Sequence, residues 1–120
     1  HRIICAQDYS AVTAACMLVK KSAFDQVGGL TEELAVAFND IDFCMKLRAA
    51  GYLIVYNPYA ELYHYESKSR GLEDTPEKVA RFNKEIATFE KRWPDIMRDG
   101  DPYYNPNLTL KSQDFSLKRI

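Results

Sequence analysis

Cysteine is scarce and poorly placed for cross-linking. Cys5, Cys16 and Cys44 are the three in 120 residues; they are odd in number, widely spaced and set in apolar runs, and no C-x-x-C pair exists. That pattern fits free, buried thiols in a reducing compartment better than a disulfide framework or a zinc site. Histidine is scarcer still: His1 and His64 make up the two, so no H-E-x-x-H spacing can occur. Net charge is also nearly absent. Sixteen Lys+Arg against seventeen Asp+Glu leave −1, which gives no global field to recruit nucleic acid or an anionic membrane surface. The longest apolar stretch, near "SAVTAACMLV", is too short and too mixed to span a bilayer, and no charged-then-apolar leader opens the chain. A soluble, cytoplasmic polypeptide is expected. The first residues lack an initiator Met, which adds the expectation of a piece cut from a longer protein.

What is present suffices for one core. The chain is 47% hydrophobic and 28% charged, enough for one compact domain and not for two. Residues 11–20, "AVTAACMLVK", are small and β-branched and read as a buried strand. A short helix follows, with Ser22 as its N-cap and Gly28 and Gly29 ending it. "TEELAVAF" reads as an irregular loop. The next helix is expected over residues 40–50, with Ile41, Cys44 and Leu47 on one stripe and Gly51 closing it. "YLIVYNP" reads as a strand, and "AELYHYES" as a second whose alternation puts Leu62 and His64 on one face. The clearest element is a helix over residues 75–93: Thr75 caps it, Pro76 takes its first position, and Val79, Phe82, Ile86, Phe89 and Trp93 recur at spacings of three and four before Pro94. The aromatic tail, with Tyr103, Tyr104 and Phe115, reads as packing surface over the body. Alternating strands and helices imply an α/β fold with a mixed sheet and flanking helices. Three strands are few for a complete sheet, which again suggests an incomplete domain.

Three groups of residues could carry chemistry. "NDID", residues 39–42, stands at the threshold of a helix. Asn39 or Asp40 can cap it and Asp42 can sit favourably in its first turn; equally, a carboxylate held at a rigid helix start can serve as a general base, with a second acid nearby raising its proton affinity. The two roles are compatible, because a base must be held still. His64 precedes a polar loop. A lone histidine is more often a structural residue than a ligand, and as a metal ligand it needs partners from elsewhere, Glu66 being the one near in sequence. "SKSRG" places Lys68 and Arg70 just beyond it, either as a solvated loop or as one that closes over a diphosphate, with Arg70 supplying paired donors and Lys68 a point charge.

Taken in order, "TAACMLVKKSAFDQVGGLTEEL", "NDIDFCMKLRAAGYLIVYNPYAELYHYES" and "SRG" resemble the C-terminal half of family 2 glycosyltransferases of the GT-A fold, especially bacterial rhamnosyltransferase-like and O-antigen enzymes. The resemblance runs from about Thr13 to "NPNLTL". It implies that Asp40, in the family's Glu-Asp-x-Asp motif, is the base that deprotonates an acceptor hydroxyl, with Asp42 as a supporting acid; Asn39 stands where the family usually has Glu. It implies that His64 completes a divalent metal site, Mn2+ or Mg2+, that Lys68 and Arg70 lie near the leaving diphosphate, and that the small residues Thr13, Ala14 and Ala15 line the acceptor side of the cleft. The family's nucleotide-binding half, with its D-x-D metal motif, is expected outside this chain, since "DID" has the wrong context for it.

The expected division is residues 1–94 as the acceptor-side part of the GT-A domain and 95–120 as a tail packing on it. The expected activity is inverting, metal-dependent transfer of a sugar from a nucleotide-sugar donor to a glycan or lipid-linked hydroxyl, with no nucleic-acid partner. This segment alone is expected to be inactive, and its parent could associate with the inner membrane face. Two other classes stay open: a non-catalytic interaction module, and a glycoside hydrolase that uses paired carboxylates.

Overall fold

The computed structural model describes residues 4–65 and 75–119. In chain order these form strand β1 (Gln7–Tyr9), a 3-10 turn (Ala14–Cys16), helices α1 (Lys21–Gln26) and α2 (Asn39–Ala49), strand β2 (Ile54–Tyr56), and helices α3 (Pro76–Arg92) and α4 (Pro94–Asp99). The architecture is mixed α/β with a two-stranded antiparallel sheet.

The sheet pairs Gln7 with Tyr56, Asp8 with Val55 and Tyr9 with Ile54. Alternation then sorts its faces. Ile54 turns into the core, the Tyr9 and Tyr56 rings meet edge-on at 6.0 Å, and Val55 faces out, 57% exposed. The buried apolar cluster joins Ala23 of α1 to Phe43, Cys44 and Leu47 of α2 and Ile54 of β2, with Phe24 tilted against Phe43 at 5.4 Å. Ala11, Val12, Met17 and Val19 pack onto it from the preceding segment.

That segment corrects one expectation. Residues 17–20 keep the in–out alternation of a strand, since Met17 and Val19 touch the core while Leu18 is fully exposed, yet the backbone turns at residues 14–16 and the alternation does not extend to Ala11 and Val12, which both pack on the core. The reason is where its amides go. Ala14 N donates to the Asp40 carboxylate at 3.1 Å and Ala15 N to the Thr13 hydroxyl at 3.4 Å, so side chains take donors that a strand ladder would need. Three further expectations change. The N-cap of α1 is Lys20, so Ser22 lies within the helix. The strand expected in "AELYHYES" does not form over residues 60–65. Of the thiols only Cys44 is buried, while Cys5 and Cys16 are exposed. Burial pushes the Cys44 thiol up, with the Asp40 charge adding to the effect.

Helix α3 follows the local rules closely. The Thr75 hydroxyl accepts from Lys78 N at 3.3 Å and Pro76 opens the helix. Pro94, which has no N–H to donate, ends it and begins α4 at once. The tail reaches the body through Asp101, which accepts from the Ser10 hydroxyl, and through Tyr103, whose ring lies 5.2 Å beneath the Arg48 guanidinium.

The chain exposes 9697 Å², against about 6,600 Å² expected of a compact monomer of this mass. Its radius of gyration is 15.8 Å, against about 13.6 Å expected at this length. Part of the excess is apolar: Leu53 just before β2, Val55 on it, and Tyr59, Leu62 and Tyr63 after it all lie open. Among the described residues, no helix is long and apolar enough to cross a membrane.

The turn after α1 gives a direct test. Gly29 has φ +67°, and a Cβ there would lie 2.9 Å from the Phe24 ring, which is itself held against Phe43. Gly29→Ala combines left-handed backbone strain with a core clash and should cost about 2 kcal/mol, read as a lowered urea midpoint at unchanged slope.

Candidate functional site

Helix α2 starts in an unusual way. Its N-cap is Phe38, in the left-handed conformation at φ 62°, ψ 2°, with no side-chain cap. This corrects the expectation of an Asn39 or Asp40 cap. Phe38 O accepts from Asp42 N at 2.8 Å, which closes the first helical turn. The two aspartates follow two residues apart, which on an α-helix separates their directions by about 200°. They therefore enter different surroundings.

Asp40 is half-buried and faces the 3-10 turn. Its Oδ1 accepts from Ile41 N at 2.9 Å and its Oδ2 from Ala14 N at 3.1 Å. One amide belongs to its own helix and the other to the exposed turn of small side chains at Thr13, Ala14 and Ala15. The carboxylate is thus fixed by backbone on two sides, while each oxygen keeps a lone pair for a hydroxyl donor. Asn39 stands beside it, half-buried, at the first position of α2.

Asp42 is 0% exposed. Its Oδ1 accepts from Arg92 Nε at 2.7 Å and Trp93 Nε1 at 2.8 Å, and its Oδ2 from the Thr31 hydroxyl at 2.5 Å. Lys46 Nζ lies 3.9 Å away and donates to Thr31 Oγ1 at 3.1 Å and to Gly29 O. Burial alone would push the Asp42 carboxyl up. The bonds from Thr31, Arg92 and Trp93, with the Arg92 charge, outweigh burial and hold it below its ordinary 3.8. Burial also lowers Lys46, against the pull of Asp42. A carboxylate so enclosed is a structural anchor: its donors tie the loop at Thr31 and the end of α3 to α2.

The remaining expected residues are not gathered here. His64 is exposed in the stretch after β2. Lys68, Arg70 and Glu66 lie outside the described residues. Among the described residues, no group of three or more His, Cys, Asp and Glu is arranged to hold a metal, so these side chains do not by themselves fit a divalent cation. Sequence reasoning also missed a second D-x-D, formed by Asp99, Gly100 and Asp101. Its acids are engaged by other groups, Asp99 by its neighbour Arg98 at 2.8 Å, and Asp101 by Ser10 of the body and by Tyr103 N at 2.8 Å. A cavity of about 690 Å³ lies in the tail between Tyr104, Leu108 and Lys118. It is remote in sequence from Asp40 and contains none of the expected site residues, so volume and chemistry point to different places. The fixed carboxylate is the better guide, because orientation of a reactive group is what catalysis requires. Thr31, Arg92 and Trp93 were also missed. Trp93 was legible only as part of an apolar stripe, and nothing local links Arg92 to an acid fifty residues earlier.

No protein-family model matches the chain, and no solved structure matches it. Curated relatives do. The uncharacterized protein y4gI of Sinorhizobium fredii is 58% identical over 117 residues, 97% of this chain. The O-antigen biosynthesis protein RfbC of Myxococcus xanthus is 34% identical over 113 residues, 94% of the chain. An N-acetylglucosaminyl-diphospho-decaprenol L-rhamnosyltransferase of Mycobacterium tuberculosis is 37% identical over 78 residues, 65% of the chain. Two of the three are named for the making of glycans. The chain spans 13%, 8% and 25% of their respective lengths, so it corresponds to a segment of larger proteins.

The anchor makes a signed prediction. Asp42→Ala leaves the Arg92 and Trp93 donors without their acceptor and should cost about 3 kcal/mol, the low end for a broken buried pair because Arg92 keeps some water contact. Asp42 is held below its unfolded value, so its contribution is full above about pH 4 and is lost as pH falls through the lower, folded value. Unfolding free energy against pH should therefore fall less steeply below about pH 4 for Asp42→Asn than for wild type; parallel acid limbs would refute the anchor.

Proposed function

We propose that the chain is the acceptor-side part of an inverting glycosyltransferase of GT-A type that acts in bacterial surface-glycan synthesis. It would move a sugar from a nucleotide-sugar donor to a hydroxyl of a glycan or lipid-linked acceptor. The observation that carries the proposal is the meeting of Asp40 with Ala14: a backbone-fixed, solvent-reachable carboxylate beside a turn whose short side chains leave room for an acceptor. The names of the O-antigen protein and the rhamnosyltransferase supply the chemical class. The excess apolar surface supports a part that packs against further protein.

The chemistry is a single displacement. An acceptor hydroxyl donates to a free lone pair of Asp40 and gives up its proton as its oxygen bonds to the anomeric carbon. The bond from that carbon to the donor phosphate breaks on the opposite face, and its electron pair leaves with the nucleoside diphosphate. Holding the hydroxyl and carboxylate together removes the entropic cost of their meeting. Lys68 and Arg70 are assigned to the charge that develops on the diphosphate. A divalent cation would have only His64 here among the expected ligands, and no step is routed through it. Asp42 positions α2 and does not share the proton. That enclosure also disfavours a hydrolase that pairs Asp40 with Asp42, since the second carboxylate must be open to the sugar; the pairing of Asp40 with Glu66 lies outside the described residues.

The test is sugar transfer by the full-length gene product with a panel of nucleotide sugars in the presence of manganese or magnesium. Asp40→Asn should lower kcat by about 10²–10⁴-fold, with thermal melting little changed because the amide oxygen still accepts a backbone N–H. Wild-type turnover in that variant removes Asp40 from the chemistry. Glycan binding without any transfer by the full-length protein would favour the interaction module.

A further inference from the structure

The apolar stripe of α3 contains one acid. Glu85 lies three residues after Phe82 and four before Phe89, and it is buried at 3% exposure. Its two oxygens accept from consecutive backbone amides across the chain, Oε1 from Val36 N at 3.1 Å and Oε2 from Ala37 N at 3.0 Å. The next residue is Phe38, whose left-handed backbone is sparsely populated by bulky residues and persists only where its surroundings impose it. Those surroundings are again α3: the Phe38 ring lies 5.5 Å from Phe82 and 5.6 Å from Phe89. Carboxylate and rings thus grip three successive residues immediately before Asn39 and Asp40.

We propose that Glu85 is a positioning residue for Asp40. By holding the Val36 and Ala37 peptides it sets the direction in which α2 begins, and so where the Asp40 carboxylate meets Ala14. An apolar residue at this stripe position could pack α3 but could not accept two amides. Burying a carboxylate is unfavourable unless charge-assisted bonds offset it, which these two do. The assignment rests on the transferase reading of Asp40.

Two measurements on the full-length gene product test it. In steady-state transfer, Glu85→Gln keeps one strong acceptor and should lower kcat about tenfold, while Glu85→Ala should lower it about a hundredfold, with KM for donor and acceptor within about twofold of wild type. A merely structural role would change the melting temperature and the active fraction but not kcat per folded molecule. In amide hydrogen exchange, both variants should speed exchange at Ala14 and Ile41, the amides that Asp40 holds, while the central turns of α3 stay protected. The milder Glu85→Gln keeps the test usable if Glu85→Ala does not fold. Wild-type kcat in both variants, or unchanged exchange at Ala14, overturns the positioning role while leaving the function of Asp40 intact. A full-length protein that transfers no sugar, or an Asp40→Asn variant that transfers normally, overturns the transferase reading and Glu85's assignment with it.

Discussion

The Asp42 carboxylate has no contact with water, and four cationic or hydrogen-bonding side chains from three stretches of chain converge on it. A buried charge is tolerated only when its bonds replace hydration, so these partners must be correctly placed together or the arrangement fails. That requirement fixes the loop at Thr31, the first turn of α2 and the end of α3 relative to one another. The apolar cluster could not do so alone, since it is built from α1, α2 and β2 and includes no residue of α3. Helix α3 is held to the body largely through polar anchors, Asp42 at one end and Glu85 nearer the middle, with the Phe38 ring between Phe82 and Phe89.

This arrangement explains how two acids in "NDID" come to differ. Helical geometry sends them to opposite sides of one turn. Asp42 enters the protein and becomes an anchor, while Asp40 emerges beside the small-residue turn with its orientation set by two amides. A flexible carboxylate at the same site would spend most of its time misdirected. The anchored helix start, the left-handed Phe38 and the Glu85 clamp together restrict it. Rigidity at the candidate site is therefore assembled from residues distant in sequence.

Much of the helical structure was legible because its causes are local. Thr75, Pro76 and Pro94 punctuate α3, and the three-and-four spacing of Phe82, Ile86, Phe89 and Trp93 marks its inner stripe, from which Val79, expected in it, is left exposed. Cys44 and Leu47 mark that of α2. The sheet was less legible. β1 is the polar tripeptide "QDY", which carries no alternation, and it is a strand because β2 offers it a partner. The strand expected at residues 11–20 is broken because Asp40, 26 residues away, takes the Ala14 amide. In the candidate site, Asp40 was legible as a chemistry-bearing type and the small residues Thr13, Ala14 and Ala15 only through the family resemblance, whereas Arg92 and Glu85 were not legible. Glu85 did leave a trace, an acid inside an apolar stripe, which signals a buried polar partner.

By itself the sequence determined where α3 starts and stops, most of the apolar stripes, and that an acidic pair sits at a helix threshold, because caps, prolines and periodicity act within a few residues. Only the tertiary structure decided which acid is buried and which is presented, that α3 grips the segment before α2, and that residues 14–16 turn instead of pairing. Those outcomes depend on which donors meet which acceptors across the chain. That competition is settled by burial and three-dimensional proximity, neither of which is written at any single position.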